Sequence, residues 1–86
     1  MQELFIRHYK AVCERGLIDH NTTDFEFFQK GKEELSEIAE SGYEDAQEIT
    51  DLMCVCANWL IHKGYVLESE VLQNVERQER RSENGE

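Results

Sequence analysis

A chain of 86 residues is expected to form one domain, and at this size only about 60% of the unfolded surface is buried, so a single copy has a thin core. Nineteen acids against nine bases give a formal net charge of −10, which argues against a nucleic-acid backbone or an anionic membrane as the main partner. A small phosphate ligand bridged by a metal remains compatible with that charge.

Proline is absent, which suits an all-α fold. No apolar run approaches the length of a membrane span, and the N-terminus mixes charges throughout, so neither a membrane helix nor a signal peptide is expected. Residues 2 to 18 set Leu4, Phe5, Tyr9, Val12 and Gly16 at helical spacing, with Ile6 and Cys13 beside them, which predicts an amphipathic helix. His8 and Lys10 lie on it within reach of a neighbouring site, with nothing to select them. Asp19 to Asp24 is a polar connector rich in helix-capping residues. A second helix is predicted from about Asp24 to Ser41, with Phe25, Phe28, Leu35, Ile38 and Ala39 as its buried stripe. Ser41-Gly42 reads as a helix stop and tight turn, because Gly accepts the left-handed conformation that ends a helix.

The third predicted helix, about Tyr43 to Lys63, is the most apolar. From Leu52 to Ile61 only Asn58 is strongly polar, so this helix is expected to be surrounded by the others, with Trp59 in the core or a subunit interface. Gly64 ends it. Leu67 to about Arg81 form a fourth helix with Leu67, Val71, Leu72 and Val75 apolar. The domain is placed at residues 1–81 and a frayed tail at 82–86. Cys54 and Cys56 are two apart on a helix, hence about 200° apart around its axis and poorly placed to grip one metal. Buried free thiols in a reducing, cytoplasmic setting are expected for all three cysteines.

The densest chemistry lies between Glu33 and Asp51. Eight acids fall there, and no Lys or Arg occurs from Glu33 to His62. Helix faces normally intersperse bases, because Glu and Lys one turn apart support each other. Glu34 and Glu37 are spaced i,i+3, as are Glu48 and Asp51, so each pair projects from one helix face. A tight turn makes the two helices antiparallel neighbours, and at about 1.5 Å of rise per residue Glu37 stands level with Glu48 and Glu34 with Asp51. Four carboxylates can thus converge in an all-oxygen set of the kind that hard divalent cations such as Mg²⁺ prefer. A solvated acidic face on an ordinary hairpin fits the same spacing.

Three further features allow two readings each. Lys30, one turn before Glu34, is its salt-bridge partner or a phosphate contact. Asn58, two turns beyond Asp51, makes an interhelical hydrogen bond or holds water or substrate. Arg77, Arg80 and Arg81 are the favourable bases of a helix C-terminus, or an anion clamp folded over the acidic hairpin.

Glu33-Glu34-x-x-Glu37 followed by Glu48-x-x-Asp51 resembles the signature of the MazG-like group in the all-α nucleoside-triphosphate pyrophosphatase superfamily. Asn58 matches an Asn that MazG proteins often place seven residues after the Asp. The ending Asn74-Val-Glu-Arg77-Gln78-Glu-Arg80-Arg81 is similar to the family's Lys-x-x-Lys-Asn-x-x-Arg helix. The resemblance covers roughly Phe25 to Arg81. Ten residues separate Glu37 from Glu48, a shorter spacer than is usual, and Asn74 and Gln78 stand where Lys and Asn are expected.

The resemblance implies a four-helix MazG-like bundle, completed by oligomerisation into a dimer or tetramer. It implies a hydrolase dependent on Mg²⁺, or Mn²⁺ in its place, that cleaves NTP or dNTP to the monophosphate and pyrophosphate. Glu34, Glu37, Glu48 and Asp51 would then be metal ligands, with Glu33 as an outer base or water-orienting group. Lys30, Asn58, Arg77 and Arg81 would contact substrate. Phosphoribosyl-ATP pyrophosphatase, a sister family with a similarly compact hairpin, ranks second. It usually carries Tyr-His shortly after Asp-Leu-Leu, where this chain has Cys54-Val55. A nucleotide-binding or regulatory helical module without efficient catalysis, and a purely structural acidic bundle with no specific divalent-ion effect, are the remaining alternatives.

Overall fold

The computed structural model describes residues 1–85, and these form four α-helices with no strand among them. They are α1 (Gln2–Glu14), α2 (Asp24–Glu40), α3 (Ala46–His62) and α4 (Leu67–Glu83). As its composition suggests, α3 is central: α2 packs along it, α1 packs on another side, and α4 adjoins it. No helix among the described residues is long and apolar enough to cross a membrane.

Local chemistry sets the helix ends. Thr23 opens α2 with a reciprocal cap, in which the Glu26 amide donates to Thr23 Oγ1 at 3.2 Å and the Thr23 amide donates to Glu26 Oε2 at 2.6 Å. α1 stops at Glu14, short of the predicted end, because Gly16 turns left-handed at φ +77°. The amides of Gly16 and Leu17 then fold back onto the carbonyls of Cys13 and Val12 at 2.9 and 3.2 Å. The same motif closes α2, where Gly42 at φ +73° brings its own amide and that of Tyr43 to the carbonyls of Ala39 and Ile38, each at 3.0 Å. α3 begins at Ala46 rather than Tyr43, since Asp45 caps it by accepting from the Gln47 amide at 2.9 Å. Tyr43 itself sits at φ +66°, a conformation that costs a non-glycine residue about 1–2 kcal/mol. α4 continues through Ser82 and Glu83, two residues into the segment expected to be tail, while Glu86 lies outside the described residues.

Two polar joints fix the helices against one another. At the first, Trp59 Nε1–H donates to Asp24 Oδ1 at 2.8 Å, and Lys63 Nζ reaches the same carboxylate at 3.2 Å. The Trp59 ring also stacks on Phe27, with centroids 6.1 Å apart and planes 6° apart. This joint turns α2 away from its expected orientation. Phe27 is buried, whereas Phe25, Phe28 and Leu35 of the predicted stripe are 64%, 51% and 56% exposed, and Ala39 is exposed too. At the second joint His62 Nε2–H donates to the Thr22 carbonyl at 3.1 Å. That leaves His62 Nδ1 to accept from the Tyr9 hydroxyl at 2.9 Å. Burial, and then a hydrogen bond with Cys13, raise the Tyr9 pKa, which keeps the hydroxyl a donor.

The core is small: Ile18, Phe27, Ala57 and Leu67 are its buried apolar residues. Outside it, Phe28 and Leu35 of α2, Ile49 and Met53 of α3, and Val71, Leu72 and Val75 of α4 all face solvent. The radius of gyration is 14.9 Å, against about 12 Å for a compact chain of this length, because α4 extends from the rest. The three cysteines are free, but burial is partial: Cys13 and Cys54 are half-buried and Cys56 is exposed.

Two glycines of α2 and its turn should respond oppositely to alanine. A Cβ at Gly31, within the helix, would meet nothing within 4 Å, so Gly31→Ala should stabilise the chain by roughly 0.5–1 kcal/mol. Gly42→Ala should destabilise it by about 1 kcal/mol, because of its left-handed φ of +73°. Urea melts of the two variants check both signs.

Candidate metal centre

Glu34 stands seven residues after Phe27 in α2 and therefore shares its buried face. Glu48 and Asp51 lie in the first two turns of α3. The hairpin brings the three together, with one carboxylate oxygen of each lying within 4.8 Å of the others. Glu34 is 5% exposed and forms the floor, Glu48 is half-buried, and Asp51 is exposed at the rim. Glu34 Oε2 and Glu48 Oε2 are buried with no hydrogen-bond partner among the described residues.

Such oxygens are costly to leave alone in a folded protein. The first turn of α3 offers Glu48 a fractional positive charge from the helix dipole, which falls short of a full counter-ion. Lys30 Nζ lies 3.4 Å from Glu34 Oε1 and 3.4 Å from Glu33 Oε2, and leaves Glu34 Oε2 untouched. Burial, then the neighbouring Glu37 carboxylate, push the Glu34 pKa up, against the pull of Lys30. Burial works to lower the Lys30 pKa, but its contacts with Glu34 and Glu33 outweigh that and raise it. Burial, then the charge of Asp51, raise the Cys54 pKa and hold it as a thiol, a poor metal ligand. The donor set is thus three carboxylates, which fits a hard divalent cation such as Mg²⁺ or Mn²⁺.

Comparisons with family models, curated proteins and solved structures found no match to the chain.

The other residues singled out in the sequence divide. Glu37 is exposed and stands outside the three-carboxylate cluster, although Glu34 feels its charge. Glu33 is exposed and paired with Lys30 at the rim. Asn58 is 4% exposed, and its Oδ1 accepts from His8 Nδ1–H of α1 at 3.3 Å, so the interhelical hydrogen bond is present. It also lines a cleft of about 580 Å³ that includes Glu34 and Asp51, within the usual size range of small-molecule sites. Arg77 and Arg81 line no part of this cleft. Only two residues, Tyr65 and Val66, separate the Gly64 stop from α4, and the helix leaves with its basic face in solvent. There Arg77 bonds Asn74 of the same helix. A single copy therefore does not form the expected clamp over the hairpin.

The cleft also contains residues that the sequence did not single out. Arg15 and Leu17 enter from the end of α1, Ile18 and Thr22 from the connector, and Glu26 from α2. Arg15 immediately precedes the Gly16 helix stop, but only the packing of α1 on α3 places it at the cleft.

The raised Glu34 pKa carries a sign. Between the ordinary value of 4.5 and its raised folded value, the folded chain binds more protons than the unfolded one. Without metal, the Glu34 contribution to stability should therefore grow as pH falls from neutral toward 4.5. Glu34→Gln should remove that trend and stabilise the metal-free chain at pH 7 by about 1 kcal/mol. Thermal melts in EDTA across this range test both effects. A destabilised Glu34→Gln chain would show that the buried charge is already satisfied.

Proposed function

We propose that the chain is a divalent-cation-dependent hydrolase that cleaves nucleoside triphosphates to the monophosphate and pyrophosphate, in the manner of the MazG-like group it resembles. The observation that carries this reading is the pair of buried oxygens without a partner among the described residues, Glu34 Oε2 and Glu48 Oε2, in a three-carboxylate cluster of which Glu34 and Asp51 line a cleft of about 580 Å³. Mg²⁺ or Mn²⁺ bound there supplies charge neutralisation for phosphate and a lowered pKa for water.

The chain's own groups take distinct roles. Glu34, Glu48 and Asp51 hold the cation, with Glu37 available from one turn away. Glu33, exposed at the rim beside Lys30, accepts a proton from the attacking water. Lys30 offsets part of the Glu34 charge when no cation is present and can turn to phosphate when one is. Asn58, buried and fixed by His8, presents a polar edge to the ligand. Exposed Phe28, Leu35, Ile49 and Met53 support assembly with further copies into a dimer or tetramer. The free cysteines fit a reducing, cytoplasmic setting.

One observation favours a second reading, a nucleotide-binding module without efficient chemistry: Arg77 and Arg81 stand away from the cleft. A screen of nucleoside triphosphates for pyrophosphate release with Mg²⁺ present separates the two. Release is expected, and both Glu48→Gln and Asp51→Asn should lower it at least about 100-fold with unchanged helicity, equivalent to about 2.7 kcal/mol of lost charge stabilisation. At one hundred times its Kd, Mg²⁺ should stabilise the wild type by about 2.7 kcal/mol. Turnover that survives both substitutions defeats the site assignment, and binding without release supports the module.

A further inference from the structure

We propose that Arg15 is the anion contact of the cleft and holds a phosphate of the ligand whose other phosphate oxygens meet the Glu34–Glu48–Asp51 cluster. The proposal rests on the phosphate-ligand reading above and adds to it a residue and a direction of binding.

Three basic side chains line the cleft, His8, Arg15 and Lys30, and two of them are engaged. Lys30 lies 3.4 Å from Glu34 and 3.4 Å from Glu33, and His8 donates to Asn58 at 3.3 Å. Arg15 makes no ion pair among the described residues, although Glu26, Glu33, Glu34 and Asp51 line the same cleft. Arg15 stands at the end of α1, and those acids stand on α2 and α3. The cleft therefore has a basic point on one wall and acids on the other, with no direct pairing between them.

Charge explains how one ligand can satisfy both walls. Glu26, Glu33, Glu34 and Asp51 of the cleft together with Glu48 of the cluster make five acids against Arg15 and Lys30, a surplus of three negative charges, of which one divalent cation cancels two. A polyphosphate can then meet the cation with some oxygens and Arg15 with others. A guanidinium suits that role, because its planar donors match phosphate in pairs and it remains charged at any working pH. The buried Ile18 lines the same cleft three residues further along the chain.

The position of Arg15 is also anchored. It is the residue that ends α1, its amide donates to the Ala11 carbonyl at 3.2 Å, and the two residues after it are held by the Gly16 motif. The side chain thus starts from a fixed backbone, whereas Arg77 and Arg81 project from the extended α4.

The test is calorimetric titration of the full chain, first with Mg²⁺ alone and then with inorganic tripolyphosphate at saturating Mg²⁺. Arg15→Gln should leave Mg²⁺ binding unchanged and weaken tripolyphosphate about 10- to 100-fold, the range of a charge-assisted contact. Arg15→Lys should fall between, and Arg7→Gln, a change of an exposed base outside the cleft, should match the wild type. Thermal melts confirm that each variant is folded. The proposal is overturned if Arg15→Gln binds tripolyphosphate like the wild type, or if only the Arg77→Gln/Arg81→Gln pair weakens it. Mg²⁺ binding without tripolyphosphate binding overturns the anion contact and leaves the metal centre standing. No Mg²⁺ binding overturns both.

Discussion

Negative charge crowded between α2 and α3 is the constraint around which this small protein is arranged. Glu34, Glu48 and Asp51 repel one another across a gap that hydrophobic contact would normally close. The hairpin stays shut because it is clamped on either side of the acids. Beyond Glu34 the chain turns back through the Gly42 motif. At the opposite end the Asp24–Trp59–Lys63 joint and the Phe27–Trp59 stack tie the first turn of α2 to the last turn of α3. The fold thus stores electrostatic repulsion in its middle and spends contacts at both ends to hold it.

The second polar joint does a related job for α1. The Tyr9–His62–Thr22 chain joins α1, the connector before α2, and α3 at one point. Its tautomer follows from the carbonyl of Thr22, which can only accept. One helical turn earlier on α3, Asn58 meets His8. These contacts bring the end of α1 over the acidic hairpin and convert a two-helix groove into a three-walled cleft. Positioning Arg15 opposite the acids depends on this joint more than on any residue near Arg15 in the chain.

How much of this was legible in the sequence depends on the range of the interaction concerned. The all-α fold, the central α3, the hairpin and the approach of Glu34 to Asp51 follow from local rules: i,i+3 spacing, a glycine stop and helical rise. The orientation of α2 does not, because it is set by Trp59 gripping a residue 35 positions earlier. The pattern Phe25, Phe28, Leu35 looks like a core stripe, and within one copy it faces water. Tyr43 was expected in α3, but a left-handed turn residue other than glycine left no local mark. The direction of α4 was hidden for a similar reason. A basic helix and an acidic hairpin suggest closure, but two linking residues at the end of α3 decide where the helix points.

Lys30 would give the proposed cation binding an unusual starting point. Its ammonium already shares Glu34 and Glu33, so an arriving ion enters a position partly served by a tethered placeholder. Capture would then be an exchange, in which the incoming charge must outcompete a side chain that never diffuses away. Such a pocket would hold an ion less tightly than the same acids would without the lysine. With no ion present, Lys30 already offsets part of the charge of the acidic centre.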